Sequence, residues 1–417
     1  MENVEDVDNL DNVDDVIRSN APGSFPYSVL RERHPALIQR VREAFPYDPE
    51  RQRALDALLR ESTDPAGVME PLPPDARDRE QWEEWGSGEH VGGSWFDAPF
   101  LWAESYFYRR LLDAVGYFDA AGPWQGIDPF RPFKQAELRG PEAQAELTAL
   151  DRLAQEPPET QARALLHGSL WGNRADLGFQ LTANATDTPT TPLLADDSEH
   201  LWSLLPPGAG NTVHVVADNA GRELVPDLLL IDHFLRHAHA EQVVLHVKPH
   251  PYYVSDATPM DVIDALHHLK QAPGEAGNAG ERLWHATSTG HLQLRTHPFS
   301  CAPLPYAAMP DDLKKSFETA TLTILKGDLN YRRLVGDQLR PPTTPFPACT
   351  SYFPTPVAAL RTLKSDVIVG LDEQTERTLN ESEPESWRTT GTHAVIQVRA
   401  GDDGRRASGA SLDEVMK

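Results

Sequence analysis

The chain has 417 residues, with 38 Lys and Arg against 63 Asp and Glu, and a formal charge of −25. Such acidity offers no positive field to polyphosphates, which excludes unspecific nucleic-acid binding, and two cysteines, Cys301 and Cys349, cannot build a disulfide framework. With 40% apolar residues, no run near the roughly 18–20 residues of a membrane span and no basic or apolar leader, the chain reads as cytoplasmic and globular, with roughly two to four domains and no membrane partner.

Residues 1–20 hold seven carboxylates against Arg18 and predict a solvated, disordered acidic tail. A helical domain is expected over 21–165. HPALIQRVREAF puts Leu37, Ile38, Val41 and Phe45 on one face, and ERQRALDALLRE repeats the pattern with Ala54, Leu55, Leu58 and Leu59. APFLWAESYFYRRLLDAVGYF is the densest apolar helix, and AQAELTALDRLAQ and TQARALLHGSLWGN supply two more. From 166 to 395 the rhythm is that of an α/β domain. NTVHVVADNAG is a strand followed by the helical RELVPDLLLIDHFLRHAH; further strands are expected at Val243 to Val247, Leu322 to Leu325 and Val367 to Val369. Continuous apolar strands alternating with helices predict a parallel sheet covered on both faces, a three-layer α/β/α, Rossmann-like arrangement. Within it, residues 271–281 read as a flexible surface loop. The proline-rich 341–356 is too rigid and aromatic for a plain linker. Residues 401–417 lack apolar periodicity and read as a second disordered tail.

Polar clusters lie beside the strands, where open α/β sheets bind ligands at carboxyl ends. Asp218-Asn219, with Glu223 beyond, follows the first strand; Lys248 and then Ser255-Asp256 follow the second; Lys326 to Tyr331 follow the third. Arg361-Thr362-Leu363-Lys364 precedes the fourth. Asp218, Asn219 and Asp256 are oxygen donors suited to a hard or borderline divalent ion such as Mg²⁺ or Mn²⁺. Lys326, Arg361 and Lys364 are cations able to hold a phosphate. Each cluster alone has a plainer reading: Asp-Asn as a helix cap or turn, Lys-Gly-Asp as a turn, the Arg361…Lys364 pair as a solvated face. Together they suggest metal-assisted phosphate ester hydrolysis. The histidines add nothing: His237 with His239, and His267 with His268, fall on helices without zinc spacing.

HVVADNAGRELVPDLLL, VVLHVKPHPYYVSD, LKGDLNYRRLVGD and RTLKSD, with HGSLWGNRADLGF and WFDAPFLWAESYFYRR, resemble in order the blocks of the metal-dependent damage-control phosphatases. The branch is the subfamily III marked by Arg-Thr-x-Lys, which includes a protein described as an acidic-residue methyltransferase. The resemblance covers about residues 25–370. It implies a helical N-terminal region on an α/β/α domain, a metal on Asp218, Asn219 and Asp256, and substrate contacts from Asp218, Asn219, Gly327, Asp328, Leu329, Asn330, Tyr331 and Lys364. Glu104, Arg109, Asn173 and Asp176 are further candidates from the matching blocks. It also implies small phosphorylated metabolites as partners, fructose 1-phosphate or fructose 6-phosphate in type, with Mn²⁺, Co²⁺ or Ni²⁺ supporting turnover.

The expected mechanism is attack by a water that the metal orients, with Asp218 or Asp256 as general base and Lys326 and Lys364 stabilising the phosphoryl oxygens. Asn330 and Asp328 would fix sugar hydroxyls or phosphate. A phospho-aspartyl route has no motif, because residue 220, two after Asp218, is Ala. Two other readings stand beside this one. An S-adenosylmethionine-dependent carboxyl methyltransferase would use Glu223 as a cofactor contact but lacks the Gly-rich loop after a first strand. A non-catalytic sugar-phosphate sensor could share the fold.

Overall fold

Among the described residues, six helices of eight residues or more carry the first part of the chain: α1 (His34–Ala44), α2 (Pro49–Thr63), α3 (Phe100–Ala114), α4 (Arg131–Leu138), α5 (Pro141–Leu153) and α6 (Pro158–Trp171). The computed structural model describes residues 16–172, 193–384 and 387–401. Leu37, Ile38 and Val41 of α1 and Leu55 and Leu58 of α2 are buried, as their spacing predicts. Asp48 starts α2 by accepting the Glu50 and Arg51 N–H groups at 2.8 and 3.1 Å, which satisfies donors that the helix itself cannot. The first core gathers residues between Leu30 and Phe130 around Trp82, Trp95, Trp102 and Phe107. Helices α5 and α6 instead join the core beneath the sheet, through Leu150, Leu153, Leu166 and Leu170.

Seven strands follow: β1 (Ala195–Asp196), β2 (Thr212–Val216), β3 (Gln242–Val247), β4 (Leu292–Thr296), β5 (Leu322–Lys326), β6 (Val357–Thr362) and β7 (Ala394–Arg399). They form one sheet in the order β1-β7-β6-β5-β2-β3-β4. Side chains alternate across it as strand geometry demands. Val213, Val215, Leu245, Ile324 and Leu360 enter one core, whereas Val216, Leu325, Val357 and Ala359 enter the other. Helices α7 (Leu224–Arg236), α8 (Pro259–Gln271) and α9 (Gly274–Thr289) cover the first face, and α10 (Gly327–Val335) lies on the second. The α/β/α architecture is therefore present.

Several local expectations are corrected. The sheet is mixed, because β6 and β7 run antiparallel. Val367 to Val369 are buried but form no strand: the Val369 N–H donates to the Tyr331 hydroxyl, and the Gly370 and Leu371 N–H groups donate to Thr344 and Pro342 of the proline-rich segment. The strand in this part of the chain is instead β6, so Arg361 and Thr362 end a strand and do not precede one. Residues 274–281 belong to helix α9. A Cβ on Gly277 would lie 2.4 Å from the Ala272 carbonyl oxygen, and one on Gly280 would lie 2.5 Å from the Lys270 nitrogen. These glycines permit close helix packing, not looseness. His237 and His239 fall just beyond the end of α7. Within the expected acidic tail, Val16 bridges Gln338 and Arg18 bridges Pro99.

Candidate functional site

Strand β2 lies between β3 and β5. The chain leaves β2 for β3 and β4 on one side, then returns to β5 on the other. The carboxyl ends of β2 and β5 therefore flank the topological switch point, where sheets of this kind receive ligands.

Asp218 and Asn219 leave β2 into this crevice. An isolated bridge joins Asn219 to Asp256 of the loop after β3. The Ala220 N–H donates to the Ser255 carbonyl at 2.6 Å, and the Ala257 N–H donates to the Asp218 carbonyl at 2.9 Å. These backbone bonds bring together three oxygen-bearing side chains from two loops. Asp256 is 2% exposed, and one of its carboxylate oxygens accepts the Tyr253 N–H at 3.1 Å. The Asn219 amide nitrogen donates to Glu223 at 3.0 Å and to Asp218 at 3.3 Å. Gly327 closes the crevice from β5 with φ +85°, and a Cβ there would sit 1.8 Å from Asp218 Oδ2. Only hydrogen fits, so the first turn of α10 rests directly against the carboxylate. That helix N-terminus favours negative charge.

Burial pushes the Asp218 carboxyl well above its usual range; Glu223 and Asp256 push it further, against Lys364 and Lys248. A buried carboxylate crowded by two others is a poor arrangement for an empty interior and a good one for a divalent cation. The donors are two carboxylates and one amide; among the described residues no group of three or more His, Cys, Asp or Glu side chains is arranged to hold an ion. An all-oxygen set of this size fits a hard or borderline ion that keeps waters.

A small cleft beside these residues is bordered by Asp218, Asn219, Glu223, Lys326, Gly327 and Lys364, with Ser169, Asp227 and Thr362. Lys326 Nζ lies 2.9 Å from Asp227 Oδ1 and donates to the Ser169 carbonyl. The Ser169 hydroxyl donates to the same Asp227 oxygen at 2.6 Å. Lys364 is half-exposed at the mouth, with Nζ 3.9 Å from Glu223. Ser169 and Asp227 were not singled out by sequence reasoning. The available signal was a carboxylate inside the apolar stretch LVPDLLLI.

The other described residues expected at the site lie outside the cleft. Arg361 is fully buried. It donates to Asp328 at 2.8 Å, to the Ser365 carbonyl and hydroxyl at 3.1 and 2.9 Å, and to the Val367 carbonyl, and its guanidinium lies over the Tyr331 ring. Asp328 also accepts the Lys364 N–H at 3.3 Å. Burial would raise its carboxyl, but Arg361, Arg332 and Ser365 outweigh that and hold it below the usual range. The Asn330 amide nitrogen donates to the Ala217 and Lys326 carbonyls at 3.0 and 2.8 Å. The Tyr331 hydroxyl donates to Gln397 at 2.9 Å, and Leu329 packs with Leu101 and Tyr252. Of the run from Gly327 to Tyr331, only Gly327 borders the cleft; Asn330 braces the end of β5 at Lys326, and Asp328 braces the segment that carries Lys364. Glu104 on α3 is 3.8 Å from Arg332, and burial raises its carboxyl to about 7. Arg109 is held by Asp78 and Asp113. Asn173 and Asp176 lie outside the described residues.

Residues 29–379 match the model of the damage-control phosphatase ARMT1-like domain. The zebrafish (Danio rerio) protein named damage-control phosphatase ARMT1 is 30% identical over 429 residues, covering 90% of this chain and 94% of the relative. The human protein of that name is 32% identical over 333 residues, covering 73% and 75% respectively. A solved structure of a DUF89-family protein from Pyrococcus horikoshii aligns at a TM-score of 0.47 and 15% identity, covering 87% of this chain and 95% of that one.

Proposed function

The chain belongs to the ARMT1-like damage-control phosphatase family, and from that premise we propose that its cleft hydrolyses sugar phosphate monoesters of the fructose 1-phosphate or fructose 6-phosphate type, with Mn²⁺, Co²⁺ or Ni²⁺ on Asp218, Asn219 and Asp256. Family membership makes it a phosphatase of metabolite damage control. The observation that carries the finer reading is the pairing of Asp218, a buried carboxylate with a raised pKa, with Lys326 and Lys364 on the same cleft wall. A divalent ion bound to those oxygens supplies Lewis acidity toward a phosphoryl oxygen and makes a nearby water more acidic.

The protein's own groups do the remaining work. Lys326, held in place by Asp227 and Ser169, offers its remaining ammonium proton to a phosphoryl oxygen. Lys364 meets the substrate at the mouth, where an arriving phosphate competes with Glu223 for it. Gly327 brings the positive end of α10 against the site. Asp218 or Asp256 takes the proton from the attacking water, while Asp328 and Arg361 fix the loop that carries Lys364.

The test is phosphate release from a panel of sugar phosphates with Mn²⁺, Co²⁺ or Ni²⁺, with and without chelator, for the parent protein and Asp256→Ala. Turnover should require metal and vanish in the variant. Undiminished turnover in chelator, or in Asp256→Ala, rejects the assignment.

A further inference from the structure

We infer that Lys134, on helix α4 of the helical region, is a positioning residue that sets the Asp256 loop in register for metal binding. The inference rests on the proposed metal ligands. Lys134 is 2% exposed. Its Nζ lies 2.9 Å from Asp128 Oδ2 and 3.0 Å from Asp261 Oδ2, and it donates to the Asp256 backbone carbonyl at 2.8 Å. The ammonium has three protons, and it has three acceptors on three different residues. Beyond its two carboxylate partners, Lys134 reaches the main chain of a proposed ligand.

The other bonds of that segment leave it little freedom. Asp261 closes the cap of α8 by accepting the Thr258 N–H and hydroxyl at 2.9 and 2.7 Å. Between the cap and Asp256, Ala257 donates to the Asp218 carbonyl and accepts the Lys248 N–H, both at 2.9 Å. Lys134 joins the cap and the ligand residue through one group, so displacing it would shift Asp256 relative to Asp218. The same helix also touches the other ligand loop. Gly221, at φ +62°, has no Cβ, and one there would lie 3.2 Å from the Lys134 carbonyl oxygen. Helix α4 therefore abuts both loops that carry the proposed ligands.

Binding of Mn²⁺ alone, followed by the electron paramagnetic resonance of free Mn²⁺, tests this on the full chain, with thermal unfolding alongside. Lys134→Met should weaken Mn²⁺ binding about 10- to 100-fold, the usual effect of losing a group that orients a metal ligand. Asp264→Ala is the control: it removes the Gln135 and Arg131 contacts at 2.8 Å between the same two helices without touching Asp256, and should leave affinity unchanged even if it lowers stability. Where Lys134→Met does not fold, Asp128→Asn keeps the ammonium and should still weaken binding. Parent-like affinity in the folded Lys134 variant, or in Asp128→Asn where that variant is the one tested, overturns the inference. So does an equal loss in Asp264→Ala. A parent protein that binds no Mn²⁺ defeats the metal-site reading itself, which is a different result.

Discussion

Glu104→Gln isolates one buried charge. Burial raises the Glu104 carboxyl from 4.5 to about 7, and Arg332 only partly opposes this; Arg332 is itself engaged by Asp337 at 2.6 and 3.1 Å. A folded-state value above the unfolded one means that the associated stability is fully present below about pH 4.5 and is lost as pH rises through about 7. The interval corresponds to about 3 kcal/mol at about 1.4 kcal/mol per pH unit. It is an upper bound, since the side chain is 15% exposed and keeps some hydration. Glutamine has the same shape and cannot ionise. In urea titrations of metal-free protein, the stability difference between variant and parent should therefore shift in the variant's favour by up to about 3 kcal/mol between acid and pH 8. Parallel curves across that range would refute the reasoning.

Asp218→Asn should abolish metal-dependent phosphate release, yet the metal-free variant should unfold at an equal or higher temperature at pH 8, because a buried charge is gone. Gly327→Ala should cost about 2 kcal/mol or more in denaturant titrations and lose turnover, since its methyl group and Asp218 cannot share the space. Lys326→Met and Asp227→Leu should each cost about 3–5 kcal/mol by leaving a buried partner charge uncompensated. The double variant should recover most of that loss while phosphate release stays low, which separates the pair's structural role from the catalytic role proposed for Lys326.

Strands β2, β3 and β5 were legible because each is an apolar run buried on both faces. Strand β4 was not, since its lower half is an exposed edge with Arg295 and Thr296. Strand β6 was missed because VAALRT mixes small residues with a buried arginine. Val367 to Val369 have strand composition, but their backbone groups pair with the side chains of Arg361, Tyr331 and Gln397, which no periodicity reveals. The glycines of 274–280 suggested a loop because sequence shows the missing side chains but not the helix pressed against them. At the site, Asp218, Asn219 and Asp256 stood out as polar residues after apolar strands. Asp227, Ser169 and Lys134 sit in helices, and only the fold shows that the first two line the cleft while Lys134 reaches the backbone of Asp256.

The sheet order also constrains how the cleft is assembled. Val213 of β2 pairs with Leu322 of β5, more than a hundred residues later, whereas β3 and β4 follow β2 directly. On a chain growing from its N-terminus, Asp218, Asn219 and Asp256 are made well before the strand that completes the crevice. Until β5 docks, β2 offers an unpaired hydrogen-bonding edge, a form prone to association with other chains. Long-range pairing of this kind is slow relative to local structure. Closure of the proposed phosphate-binding wall is thus tied to a late folding step, and a chain interrupted before residue 322 would carry the proposed metal ligands without Gly327, Lys326 or Lys364.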